Sequence, residues 1–344
     1  MNMIELAERG QVPDALIRIG IRRLLRKRLA EQHAADPEAA AQSFARQIEQ
    51  LRRSEIALET DAANAQHYEV PAAFYRQVLG RHLKYSSAEW GGKVRNLDEA
   101  EARMLRITCE RAGLADGQQV LELGCGWGSL SLWMARNYPS SRIISVSNSA
   151  SQREYILGEA DRLGLANLEV LTCDVNQLEL QRQFDRVVSV EMFEHVRNYH
   201  ELMRRISGWL VPRGRLFVHI FCHRYLMYPF EIDGNDDWMG RHFFTGGLMP
   251  SADTLLWFQD DLKIRCRWLV DGRHYGRTAR AWLERIDRNR SAARDALAPG
   301  TSAPDRQLQR WRMFFMACEE LFAFAGGREW MVGHFLFEKP GSRA

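Results

Sequence analysis

Val120-Leu121-Glu122-Leu123-Gly124-Cys125-Gly126-Trp127-Gly128 joins a short apolar strand to a turn holding three glycines. Leu130, Leu132, Trp133 and Met134 then carry a helical pattern onward. A turn this poor in side chains lets a ligand lie against bare backbone. Strand, glycine turn and helix in succession read as the first unit of a doubly wound, Rossmann-like α/β domain. Such a domain binds its ligand at the carboxyl ends of the strands. A dinucleotide site calls for G-x-G-x-x-G with the third glycine inside the helix. Here Gly124, Gly126 and Gly128 stand two apart and Glu122 precedes them, so the ligand is of another kind.

Outward from that turn the pattern alternates. Strands are predicted at Val120–Leu123, Arg142–Val146, Leu168–Thr172, Arg186–Val190 and Arg215–Ile220, with helices near 129–137, 150–163 and 198–210. Strands separated by helices argue for a parallel sheet. Val211-Pro212-Arg213-Gly214 reads as a turn before the fifth strand. Upstream, Ile17, Ile21, Leu24 and Leu25 recur at helical spacing over 13–32 among six basic residues. Such a helix either packs on the body with a solvated basic face or lies on an anionic membrane; packing is the commoner outcome. A second helix is predicted from Ala39 to about Leu58, giving a helical region over 1–65 ahead of a main domain over 66–344. Leu97–Gly113 is a further helix. Residues 222–260 are loop-like and rich in rings, the start of an inserted, aromatic-rich substrate cap spanning 221–310 after strand five. Helices are also expected at Arg277–Arg290 and at about Gln307–Ala325, with a Pro/Gly/Ser loop over Leu297–Asp305. One or two closing strands are expected over Glu329–Glu338.

Of the 344 residues, 46% are hydrophobic and 10% aromatic, ample for a packed core. A net charge of +3 makes no case for nucleic acid. The six cysteines are scattered without a C-x-x-C pair, which argues against a zinc site and for reduced thiols in the cytoplasm. Charged residues near the amino terminus speak against a signal peptide, and no uncharged stretch approaches bilayer length, so a soluble chain with no integral membrane segment is expected.

A second chemical cluster, Glu191-Met192-Phe193-Glu194-His195, begins where strand four ends, at Val190. Two carboxylates and an imidazole at the mouth of a parallel sheet exceed what the acidic preference of a helix amino terminus requires.

Taken together, these residues carry a family resemblance. The E-x-G-x-G-x-G form resembles the first motif of S-adenosylmethionine-dependent methyltransferases. His67-Tyr68-Glu69-Val70, Lys84-Tyr85-Ser86, Met192-Phe193-Glu194-His195, Asn235-Asp236-Asp237-Trp238, Phe243-Phe244-Thr245-Gly246-Gly247 and Glu329-Trp330-Met331-Val332 make the chain similar to the cyclopropane-fatty-acid-synthase superfamily. Within it, the chain is most similar to the coclaurine-type N-methyltransferases. The lipid-modifying branch typically has glycine where this chain has Glu191, and the amine branch has glutamate. Cys125, Glu194, His219 and Tyr275 match positions that hold a bicarbonate base in the lipid enzymes. Pro229 departs from the Tyr-His-Phe pattern of the plant enzymes.

The resemblance implies a class I methyltransferase sheet and S-adenosyl-L-methionine as cofactor, held over Gly124 and Gly126 with Tyr85 and Ser86 closing above it. Asn148 and Gln152 would take the ribose, Asp174 and Val175 the adenine, with Val190 beside them; no metal is implied. Methyl transfer is an in-line displacement in which sulfur loses its positive charge as nitrogen gains one. The nitrogen must be neutral, and His195 suits removal of its proton near neutral pH. Glu191 and Glu194 would orient the ammonium. Tyr228, Phe243, Phe244 and Trp330 are candidate rings for an aromatic substrate, His219, His223 and Tyr275 secondary candidates, and His334 and His242 structural. The expected reaction is methylation of a small aromatic, alkaloid-like secondary or tertiary amine. The alternatives are an enzyme acting on unsaturated acyl chains, or a non-catalytic binder of the cofactor. The expected partner is the small-molecule amine, and a homodimer stays open.

Overall fold

The computed structural model describes residues 3–32, 36–58, 70–230 and 238–341. His67-Tyr68-Glu69 and Asn235-Asp236-Asp237, and the boundary expected at 65, lie outside them.

Among the described residues, three helices lead the chain: α1 (Met3–Glu8), α2 (Asp14–Glu31) and α3 (Pro37–Arg53). Part of the basic side of α2 is used in packing, while Arg23, Arg26 and Lys27 stay exposed to solvent. Arg18 reaches Glu319 at 2.6 Å and Glu320 at 2.9 Å, and Arg22 reaches Glu320 at 2.9 Å. The short α4 (Ala72–Val78) and then α5 (Leu97–Ala112) precede the sheet. The alternation follows as β1 (Gln119–Leu123), α6 (Ser129–Asn137), β2 (Arg142–Ser147), α7 (Ala150–Leu163), β3 (Leu168–Thr172), β4 (Phe184–Val190), α8 (Tyr199–Trp209) and β5 (Leu210–His223).

Among the described residues, the ring-rich stretch after β5 forms little regular structure. It contributes a two-residue ladder of Tyr228–Pro229 with Leu248–Met249 and the short α9 (Trp238–His242). Then come β6 (Lys263–Val270), α10 (Gly272–Arg288), α11 (Arg290–Leu297), α12 (Pro304–Ala323) and β7 (Trp330–Glu338).

Among the described residues, seven strands make one sheet in the order β3-β2-β1-β4-β5-β7-β6. The first five run parallel, and β7 is antiparallel to both its neighbours. This is the doubly wound α/β fold expected. The middle strands are buried on both faces, with Val187, Val188, Leu216, Phe217 and Val218 at 0% exposure, as a sheet covered by helices on both sides demands.

Two elements differ from expectation. The stretch 211–214 is not a turn but part of β5. The register slips between Phe184 and Arg186, and Arg213 takes a φ of 62°, so an irregularity absorbs the Pro and Gly within the strand. The strand β6 has no counterpart in the sequence reading. It is a largely exposed edge strand whose Lys263, Arg265 and Arg267 hide its alternation, a common way for an edge to avoid pairing with another chain. Among the described residues, no helix is long and apolar enough to cross a membrane.

Candidate active site

The parallel strands end on one edge, and a cavity opens there, walled by the turn after β1, the turns after β2 and β3, the end of β4 and the first turn of α10. The β1 turn is held by Gly124 N and Cys125 N, both donating to Val146 O, at 3.0 and 3.1 Å. Gly124, Gly126 and Gly128 all have positive φ, at 80°, 51° and 79°. A side chain on Gly124 would meet Met192 at 2.6 Å, and one on Gly128 would meet Ile156 at 2.6 Å. At Gly126 nothing lies within 4 Å. The outer two glycines therefore serve packing as well as backbone geometry, whereas Gly126 opens onto the cavity. Beneath the turn, buried Glu122 accepts hydrogen bonds from the hydroxyls of Ser131 and of Ser145, the latter at 2.7 Å. Burial raises its carboxyl to about 7 against the pull of those two hydroxyls.

After β2, Ser147 Oγ donates to Gln152 Oε1 at 2.6 Å, and Ser149 caps α7. The amide of Gln152 is thereby turned so that Nε2 is left over. Gln152 Nε2, Trp127 Nε1 and Ser129 Oγ all belong to residues lining the cavity, are buried, and have no hydrogen-bond partner among the described residues. Buried polar atoms are normally satisfied, so three orphans around one glycine turn mark a place for a polar ligand. Asn148 lines the same wall. After β3, Cys173 and Val175 face the cavity and Asp174 does not. Its Oδ1 accepts from Asn176 N at 2.7 Å, closing the local turn.

The chain leaves β4 sharply. Glu191 has a φ of 49°, a left-handed conformation that costs a non-glycine residue about 1 kcal/mol; its N–H donates to His219 O at 2.8 Å. This bend aims the carboxylate into the cavity, where three donors meet it. Ser87 N and His219 Nε2 lie 2.9 and 3.1 Å from Oε1, and Tyr275 Oη lies 2.6 Å from Oε2. Nearby, the fully buried ammonium of Lys84 donates to Ser86 Oγ at 2.5 Å and Ser87 O at 2.8 Å. Burial lowers Lys84 to about 8, opposed by the charges of Glu191 and Glu101.

Burial raises Glu191, and the Lys84 charge, Ser87 N and Tyr275 hydroxyl counter it. Glu194 is raised well above the ordinary carboxylate range by burial and by Glu191. Of the two, Glu191 is the one whose charged form is supported by a nearby ammonium and by hydrogen-bond donors. Glu194 does not line the cavity; its Oε1 accepts from Phe221 N at 2.7 Å, behind the wall. His195 does line it, stacked on Phe244 at 5.9 Å. Burial lowers its imidazole to about 4, opposed by the charge of Glu191, so it is neutral at pH 7 and a weaker base than the near-neutral imidazole expected from the sequence.

Of the residues singled out in the sequence, Tyr85, Ser86, Gly124, Gly126, Asn148, Gln152, Val175, Val190, Glu191, His195, Phe244 and Tyr275 share this cavity. Tyr228, Phe243 and Trp330 do not. Trp330 Nε1 donates to Tyr228 Oη at 3.0 Å within the core, and Phe243 stacks on Phe314 at 4.2 Å. His219 stands behind Glu191 rather than in the wall. Sequence reasoning missed Phe314 and Trp282, cavity-lining members of helical apolar faces like any others. Lys84, quoted only as part of a motif, gave no sign of burial. Among the described residues, no group of three or more His, Cys, Asp or Glu side chains is arranged to hold a metal.

Comparison with known proteins agrees with this geometry. A family model described as mycolic acid cyclopropane synthetase matches residues 57–326. An (S)-coclaurine N-methyltransferase of Thalictrum flavum subsp. glaucum is 36% identical over 98% of this chain and 96% of its own. The cyclopropane-fatty-acyl-phospholipid synthase of Escherichia coli K12 is 29% identical over 78% of this chain and 66% of its own. A crystal structure of coclaurine N-methyltransferase bound to N-methylheliamine and S-adenosylhomocysteine superposes with a TM-score of 0.93, covering 98% of this chain and 99% of that one at 36% identity. The chain belongs to the mycolic acid cyclopropane synthetase family.

Proposed function

We propose that this chain is an S-adenosylmethionine-dependent N-methyltransferase that methylates a small aromatic secondary or tertiary amine of the coclaurine kind. One observation carries the reading: a carboxyl held by three donors, Glu191, and a neutral imidazole, His195, face one cavity opposite an open glycine turn. A carboxylate offers about four lone-pair sites. Three are filled by Ser87, His219 and Tyr275, which leaves one for an ammonium N–H.

The orphaned Gln152 Nε2, Trp127 Nε1 and Ser129 Oγ fit a polar cofactor. In this reading Gly124 and Gly126 hold its methionine part, and Tyr85 and Ser86 cover it. Asn148 and Gln152 take the ribose, and Val175, with Val190, takes the adenine side where Asp174 turns away. The cofactor supplies a methyl group on a sulfonium. Glu191 captures the substrate ammonium, and His195 accepts its proton, freeing the nitrogen lone pair. That lone pair forms the N–CH3 bond as the S–CH3 bond breaks and its electrons return to sulfur. The walls hold the three atoms in line, an alignment worth about 7–11 kcal/mol. Glu194 supports the wall through Phe221 rather than touching substrate.

Methylation of acyl chains is the weaker reading. His219 and Tyr275, two of the four residues matching the bicarbonate-holding positions of the lipid enzymes, here donate to Glu191, so the carboxylate at that place is the chain's own. The six cysteines stand as free thiols, in keeping with a cytoplasmic enzyme. Methyl-labelled S-adenosylmethionine offered with aryl-ethyl and tetrahydroisoquinoline amines and with unsaturated phospholipid vesicles tests the reading. Label in an amine supports it; label in lipid alone, or none in either, overturns it.

A further inference from the structure

Behind Glu191 runs a line of buried polar groups that the reaction as described does not use. His219 on β5 and His334 on β7 are directly paired across the two antiparallel strands, which brings their rings to 4.6 Å between centroids. His334 Nε2 lies 2.9 Å from His219 Nδ1, and His219 Nε2 lies 3.1 Å from Glu191 Oε1. At the far end, Arg111 Nη1 lies 2.7 Å from His334 Nδ1. Both histidines are fully buried.

Arginine fixes the direction of this line. A guanidinium only donates, so His334 Nδ1 must be the acceptor and bears no proton. His334 then carries its proton on Nε2 and donates to His219 Nδ1. His219 in turn carries its proton on Nε2 and donates to the carboxylate. Burial keeps both imidazoles far below their ordinary range, with the charges of Arg111 and Lys84 acting the same way, so each has one proton to place. Reversed, the line would set an imidazole lone pair against a carboxylate oxygen. Arg111 sits in the last turn of α5, half-buried over the Trp268 ring at 5.0 Å, and forms no ion pair within 4 Å among the described residues. Its only side-chain hydrogen bond there is the one to His334.

We propose that Arg111 and His334 are positioning residues for the amine-binding carboxylate: through a one-way chain of hydrogen bonds they hold His219 as the tautomer that donates to Glu191. The effect is to keep that carboxylate charged and still, from a guanidinium two imidazoles away. The inference rests on the reading that Glu191 meets the substrate amine. The other charged or titratable groups facing Glu191 are Lys84 from the segment before α5, Tyr275 from α10, Cys318 from α12, and Glu194 and His195 from its own loop, beside the neutral donor Ser87 N. Those acting on Arg111 are Glu89 and Glu110.

The test compares Arg111→Met and His334→Leu, which break the line, with Arg111→Lys and His334→Gln, which retain its donors. The midpoint of the Glu191 carboxyl is read by 13C NMR of glutamate-labelled protein, assigned by its loss in Glu191→Gln, beside pH profiles of amine turnover. Losing a donor to a carboxylate disfavours the charged form, so its midpoint moves up. The two breaking variants should raise it by about one to two pH units and carry the acid limb of kcat with it. The two donor-retaining variants should stay near wild type. An unmoved midpoint in Arg111→Met overturns the proposal, as does an equal shift in His334→Leu and His334→Gln. If Arg111→Met does not fold, the His334 pair decides alone. Because the carboxyl is read directly, the outcome stands even if no amine is turned over, a result that would sink only the functional reading.

Discussion

Replacing Glu191 by Gln removes the charge at the centre of the site while leaving its shape. The amide oxygen can still accept from Ser87 N and His219 Nε2, and the Tyr275 hydroxyl can turn to accept from the new N–H. The fold therefore has no reason to fail. What disappears is the partner of the substrate ammonium in a buried cavity. Truncating one side of a buried, hydrogen-bonded charge pair costs about 2–5 kcal/mol, which corresponds to a loss of about 30- to 5,000-fold in kcat/KM. Lys84 loses its main counter-charge at the same time, so its midpoint should fall below about 8. The assay pairs steady-state kinetics on a tetrahydroisoquinoline amine with calorimetric titration of S-adenosylhomocysteine. That product has a neutral sulfur and does not register the lost charge, so its affinity should be unchanged. A collapse of S-adenosylhomocysteine binding alongside turnover would rule out an ammonium-binding role for Glu191, as would turnover within a few-fold of wild type.

Three further outcomes follow from the same geometry. His195→Ala should lose most activity at low pH and progressively less as the pH rises and the amine is already neutral in solution. The pH profile of kcat/KM checks this, and an equal loss throughout would argue against a proton acceptor. Gly126→Ala places its methyl in open cavity and should weaken S-adenosylhomocysteine binding with a stability loss of only about 1 kcal/mol. Gly128→Ala drives into Ile156 at 2.6 Å and should cost about 1–3 kcal/mol more from overpacking; thermal melts beside ligand titrations separate the two. Glu8, buried between α9 and α12, is pushed up by burial, yet hydrogen bonds from Arg310, Trp238 and Arg306 bring it down to about 2. A carboxyl lowered on folding stabilises above its unfolded value, near 4.5, and loses that contribution as the pH falls toward 2. Glu8→Gln should therefore cost about 3 kcal/mol at pH 7, and denaturant titrations should show the gap closing below about pH 4.5.

The parallel half of the fold is legible in the sequence because its strands are buried on both faces and read as apolar runs, and α6 and α7 begin and end where their patterns do. The edge strand β6 is not, since an edge exposed to water carries Lys and Arg where alternation would show. The 211–214 stretch misleads because Pro and Gly signal a turn whether the chain reverses there or merely slips register. The site divides in the same way. Glu191 and His195 stand out by being close together in sequence at the end of a strand. Rings give no such help: Tyr228, Phe243 and Trp330 have the composition of a pocket wall and the packing of a core. The long-range partners of Glu191 are the least legible of all. Lys84, His219, Tyr275, Arg111 and His334 are brought together only by strand pairing and by the docking of α5 and α10. His334, which sequence reading treats as structural, lies in that network.

The most direct measurement is a crystal structure of the chain with S-adenosylhomocysteine and a tetrahydroisoquinoline amine. The substrate nitrogen should lie about 3 Å from a Glu191 carboxylate oxygen, with His195 beside it and the cofactor sulfur in line beyond. An amine bound away from Glu191, or a Glu191 side chain swung out into solvent, would contradict the account.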